Sequence, residues 1–159
     1  MKKYLLHVLI ISFVFVLAPT AHVATYAGED ELIENGREWV HAFPDDYMAH
    51  FSLGGAYHAA GRYNEAIPSY KMSIKLNPDF AAAYSYLGYS FGMISKHKEA
   101  IMCHKKCISI DPDFAMAHYW LGLSCLVLND RECALEQYKI LKELDSELAN
   151  TLFDCIYKK

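Results

Sequence analysis

Cysteine and histidine are the residues of this 159-residue chain with the widest chemical reach, at five and eight copies. Cys103 and Cys107 stand one helical turn apart with His104 between them. That spacing is not the C-x-x-C-H pattern of haem attachment, and no second ligand pair follows at zinc-finger distance. No metal and no cofactor are therefore expected. In an exported protein the thiols can oxidise. Cys125 and Cys133 flank Asn129-Asp130, so their bridge is geometrically conceivable, and Cys103 to Cys133 is a second pairing. The remaining cysteine is Cys155, and the odd count leaves at least one thiol free or joined to another chain. The competing reading is that buried thiols serve as small apolar side chains, Cys107 and Cys125 first among them. No nucleophile elbow, phosphate loop, H-E-x-x-H or paired-carboxylate constellation is present. The expectation is a protein that is not an enzyme.

The elements that must carry these residues are set by a repeat. Pro44-Asp45, Pro78-Asp79 and Pro112-Asp113 recur at a period of 34 residues. On the same period fall Leu53-Gly54, Leu87-Gly88 and Leu121-Gly122, and also Ala66, Ala100 and Ala134. A fixed period of this length signals a stacked repeat architecture. Within it, apolar residues at steps of three and four predict two helices per period, as in Ala81 to Ile94 and His97 to Ile110. Proline marks the end of each second helix, and Pro-Asp is expected to open the next one, with the acidic side chain at the positive end of the dipole. Glycine inside a helix costs about 1 kcal/mol relative to alanine. Gly54, Gly88 and Gly122 therefore predict close approach of the paired helix, with Ala66, Ala100 and Ala134 facing them. Pro68 falls about one turn into a predicted helix and predicts a kink or a late start there.

These columns resemble the tetratricopeptide repeat (TPR) pattern, W-x2-L-G-x2-Y, then A-x3-F, then P. His50, Leu53, Gly54, Tyr57, Ala66, Tyr70 and Pro78 fill it in the first repeat. Tyr84, Leu87, Gly88, Phe91, Ala100, His104 and Pro112 fill it in the second. The third has His118, Leu121, Gly122, Cys125, Ala134 and Tyr138, with Ser146 in place of proline. His50, His104 and His118 thus sit in packing columns. The resemblance implies an all-α fold, a short right-handed superhelix of three full repeats (about 47–80, 81–114 and 115–148, within 44–148) plus flanking helices. Residues 28–43 read as a capping helix or half repeat, and residues 149–159 as a C-terminal capping helix with Ser146 as its cap.

The resemblance also implies which side chains line the hollow face. They are Met48, Phe51 and His58, then Ser85, Tyr89 and Met93, then Met116, Tyr119 and Leu123. This face offers no Lys, Arg, Asp or Glu. Family members that hold acidic chaperone tails use Lys, Asn and Arg there, so that mode is excluded. An apolar, aromatic and methionine-bearing face predicts a protein or peptide partner with apolar anchors. The alternatives are that terminal helices or a second copy fill it, the latter giving a homo-oligomer.

Residues 1–27 read as a secretory signal: Met1-Lys2-Lys3, an apolar stretch from Tyr4 to Ala18, and small residues up to Ala27. An uncleaved single-pass anchor is the alternative, and the only membrane contact expected. The predicted location is periplasmic or secreted. The leader holds two of the 15 basic residues and none of the 19 acidic ones, so the remaining chain is acidic and lacks a basic run. Nucleic acid is not an expected partner. The sequence thus predicts a scaffold or assembly factor of the cell envelope. A membrane-anchored factor handling thiols, haem or metal, and a self-associating structural protein, are the other readings.

Overall fold

The computed structural model describes residues 28–157. The leader and the terminal Lys158-Lys159 lie outside them. Eight helices and no strand occupy the described residues. Helix α1 covers residues 28–42. It is followed by α2 (Tyr47–Ala59), α3 (Tyr63–Leu76), α4 (Ala81–Met93), α5 (His97–Ile110), α6 (Ala115–Val127), α7 (Arg131–Leu144) and α8 (Ser146–Tyr157). The pairs α2–α3, α4–α5 and α6–α7 pack as hairpins, and each hairpin packs on the next. None of these helices is long and apolar enough to cross a membrane.

The turn inside each hairpin has one residue in the left-handed region. Gly61 (φ 68°), Ser95 (61°) and Asn129 (61°) are one period apart. After each, the next backbone N–H closes the helix end on the carbonyls of Tyr57, Phe91 and Cys125, all at 2.8 Å. This is the left-handed C-terminal cap that glycine fits without strain and asparagine tolerates.

Between hairpins, Asn77 and Asp111 use their side-chain oxygens to accept the N–H of Asp79 and Asp113, each at 3.2 Å. The Pro-Asp pairs therefore shape the connecting turn and do not enter the first turn of the next helix, which starts at Tyr47, Ala81 or Ala115. The α8 cap is also displaced by one residue. Asp145, not Ser146, accepts from Glu147 and Leu148 N–H at 3.0 Å. Pro68 sits inside α3 without delaying it, since the helix begins at Tyr63.

The helical glycines meet other neighbours than the alanines. A Cβ on Gly54 would stand 2.6 Å from the Tyr70 ring, and one on Gly88 2.7 Å from the His104 ring. Ala66 and Ala100 are buried, but one turn before the residue that fills the space. In the third hairpin Leu152 of α8 takes this role, 2.7 Å from the Cβ position of Gly122. Tyr138 instead packs on Phe153, ring centroids 5.5 Å apart. The core accordingly has two parts. Ile33, Tyr57, Tyr70, Leu87 and Phe91 join α1 to the first two hairpins, and Leu121, Leu141, Leu152 and Ile156 join the third hairpin to α8.

Candidate functional site: an aromatic trough

The first helices of the hairpins, α2, α4 and α6, line one side of the stack, and their aromatic rings form a connected series. Phe51 meets Tyr86 at 5.5 Å, Tyr86 meets His58 at 5.4 Å, His58 stacks on Tyr89 at 4.7 Å, and Tyr89 meets Trp120 edge-on at 4.5 Å. Aromatic pairs at such separations prefer offset or edge-to-face geometry, which fixes the rings and leaves space between them. Three hollows result. One of about 600 Å³ lies between α1 and α2 and includes Trp39, Phe51 and His58. A second, about 290 Å³, is walled by His58, Ser85, Tyr86, Tyr89, Met116 and Trp120. The third, about 200 Å³, contains Tyr89, Met93, Trp120 and Leu123. His58 joins the first two, and Tyr89 with Trp120 joins the last two. No Lys, Arg, Asp or Glu lines any of them.

Seven of the nine side chains expected on the hollow face therefore come together: Phe51, His58, Ser85, Tyr89, Met93, Met116 and Leu123. Ser85 is buried at the bottom, while Met93 and Met116 stand at the rim, 49% and 41% exposed. Met48 and Tyr119 line none of the three hollows. Met48 lies on the exposed first turn of α2. Tyr119 meets Trp120 edge-on at 5.1 Å and packs against the cluster that α6 and α7 share with α8. The trough also contains residues that the repeat positions missed. Tyr86 and Trp120 are one period apart, and that coincidence of two large aromatics was the signal available in the sequence.

Burial sets the electrostatics of the trough. It lowers the His58 pKa below the ordinary histidine value, and Nδ1 of that ring has no hydrogen-bond partner. It raises the Tyr89 phenol. The wall carries no Lys, Arg, Asp or Glu but has the polar groups of His58, Ser85 and Tyr89 among its rings.

His50, His104 and His118, and four of the five cysteines, have structural surroundings. Nε2 of His50 lies 2.8 Å from the Pro44 carbonyl, and Nε2 of His118 lies 2.9 Å from that of Pro112. Each ring ties its helix to the turn six residues earlier. The second nitrogen of His118 stands 2.7 Å from the Gln137 amide. With Nε2–H donating to the carbonyl, a neutral ring needs the amide NH2 turned toward Nδ1. His104 is buried against Gly88, and burial brings its pKa down to about 4.

Cys125 and Cys133 are bonded to each other across the α6–α7 turn, Cα atoms 6.0 Å apart. Together with Asp130 they form the one group among the described residues with metal-ligand spacing. Bonded sulfurs are not thiolates, and Asp130 already caps α7 by accepting the Cys133 N–H at 3.0 Å. As placed, the group holds no metal. Cys103 and Cys107 are free, and burial pushes their thiols up to about 11 and about 12. Thiols so placed stay protonated and inert. Cys155 is free and exposed.

Residues 54–94 match the family model described as TPR repeat. A crystal structure of MamA is 26% identical, with a TM-score of 0.76 over 85% of this chain and 80% of its own. MamA 41-end from Desulfovibrio magneticus RS-1 is 21% identical at a TM-score of 0.70, covering 78% of this chain and 70% of that one. The Arabidopsis OM64 TPR domain is 20% identical, with a TM-score of 0.68 over 70% of this chain and 94% of its own. No curated protein matches the chain in sequence. The fold is the TPR superhelix, and these likenesses support a place in the TPR repeat family.

Proposed function

We propose that this helical-repeat protein is a non-enzymatic interaction module that seats an apolar segment of a partner protein in its aromatic trough. The observation that carries the reading is the run of rings from Phe51 to Trp120, lined by no charged side chain and rimmed by exposed Met93 and Met116. Connected apolar hollows of this kind are unusual on a protein without a partner. Methionine at the rim adapts to different anchor shapes. Protein partners are also the general use of stacked-repeat concave surfaces.

The role extends to a scaffold or assembly factor acting outside the cytoplasm. Two features support that location: the signal-like leader and the Cys125–Cys133 bond, which belongs to an oxidising compartment. The test compares crosslinked partners of the wild type with those of a Met93→Glu, Met116→Glu variant. Both side chains are exposed, so the fold should survive, as circular dichroism would verify. Loss of the wild-type partners is expected. Recovery of the same partners at the same yield would sink the reading. N-terminal sequencing of the protein from its native host is expected to begin at Gly28.

A further inference from the structure

The trough changes character beside the third hairpin. Phe114 and Met116 wall the hollow under Trp120, and they also wall a neighbouring hollow of about 590 Å³ that opens outward. Four carboxylates stand around that second space: Asp111 and Asp113 before α6, and Asp145 and Glu147 at the start of α8. The two turns are one period apart, so stacking brings side chains of one sign together. No Lys or Arg lines either hollow, and no ion pair among the described residues involves any of the four acids. Asp111 and Asp145 each hold backbone N–H groups with one oxygen, whereas the side chains of Asp113 and Glu147 are not used by the fold.

An uncharged aromatic hollow therefore opens beside the negative field of four carboxylates that pair with no Lys or Arg and are offset only by the N-terminal ends of α6 and α8. That field repels an acidic segment and draws in a basic one. The ring faces of Tyr86, Tyr89 and Trp120 favour the same sign, because an aromatic face is the negative end of its quadrupole.

We propose that the segment seated in the trough is a basic-apolar peptide of a partner protein. Its apolar or aromatic anchor fills the hollow under Trp120. A lysine or arginine within a few residues of the anchor reaches across Phe114 and Met116 into the acidic hollow. This rests on the trough being a binding groove and adds the charge of what it binds. Pairs at an exposed rim are individually weak, so their effect is on the order of tenfold in affinity, and salt removes it.

Three synthetic peptides with the same leucine and phenylalanine anchors and with lysine, glutamine or glutamate spacers provide the test, read by fluorescence anisotropy at low and high salt. The lysine peptide should bind about tenfold more tightly than the glutamine one at low salt, and the two should converge at high salt. Asp113→Asn with Glu147→Gln removes two charges and no hydrogen bond. In that variant the lysine peptide should lose most of its advantage over the glutamine one, Asp111 and Asp145 keeping the rest, with glutamine binding unchanged. Trp120→Ala should weaken all three peptides. If the glutamine peptide binds and lysine gives no advantage, this inference fails while the groove reading stands. If no peptide binds, both fail. If lysine binding survives Trp120→Ala undiminished, the acidic surface acts alone and the combined site is refuted.

Discussion

His104 enters the fold as a neutral ring pressed against Gly88, with Nδ1 lacking a partner. Its folded pKa of about 4 lies below the ordinary value of 6.5, and burial is the cause. Below pH 6.5 the unfolded chain takes up a proton that the folded chain refuses. The stability is thus complete above about pH 6.5 and is lost as pH falls to about 4. The loss should be about 3 kcal/mol from this residue, and His58 adds in the same direction. Urea unfolding across that pH range should show the decline, and His104→Phe should flatten most of it. An unchanged slope in the variant would assign the acid sensitivity elsewhere. At this scale the sequence was informative about columns and silent about depth. The shared column of Tyr70 and His104 predicts packing. Only the contact with Gly88 shows that the ring is held without a proton.

Helix pairing is decided where side chains of one helix meet backbone of the other. Gly54 and Gly55 are neighbours in α2 with opposite surroundings. A Cβ on Gly54 meets the fully buried Tyr70 ring at 2.6 Å, whereas one on Gly55 meets nothing within 4 Å. Gly54→Ala should therefore destabilise by about 1–2 kcal/mol, overpacking outweighing the gain in helix propensity. Gly55→Ala should stabilise by about 0.5–1 kcal/mol, since only the propensity gain acts. Denaturant midpoints of the two variants should move in opposite directions. Helix existence and pairing were legible because the apolar period and the breakers agree. The partner of each glycine was not, because one turn along α3 or α5 exchanges an alanine for a large ring. Caps shifted similarly: Asp145 and Ser146 are both good capping residues, and only the backbone path selects Asp145.

At the scale of the whole molecule, α8 substitutes for a missing repeat. It places Ala149, Leu152 and Ile156 against the third hairpin, and Leu152 fills the space above Gly122. Ending the chain at Asp145 should cost on the order of 5 kcal/mol, from the apolar surface of Leu152, Ile156 and their contacts. Stacked repeats touch only their neighbours, so the loss should be local. Hydrogen exchange is expected to show lost protection in α6 and α7, with α3 to α5 still protected. Uniform loss along the chain would contradict the nearest-neighbour picture. The sequence by itself determined the period, the helix pairs and the three hairpins, since these follow from residue type recurring at a fixed spacing, while the uncharged hollow face was implied only by the resemblance those columns carry. The tertiary structure alone decided that Tyr119 belongs to the α8 cluster, that Tyr86 and Trp120 complete the trough, and that four carboxylates from separate turns converge beside it. Those facts depend on the rotation between successive hairpins and on where α8 docks, and neither is encoded in any single repeat.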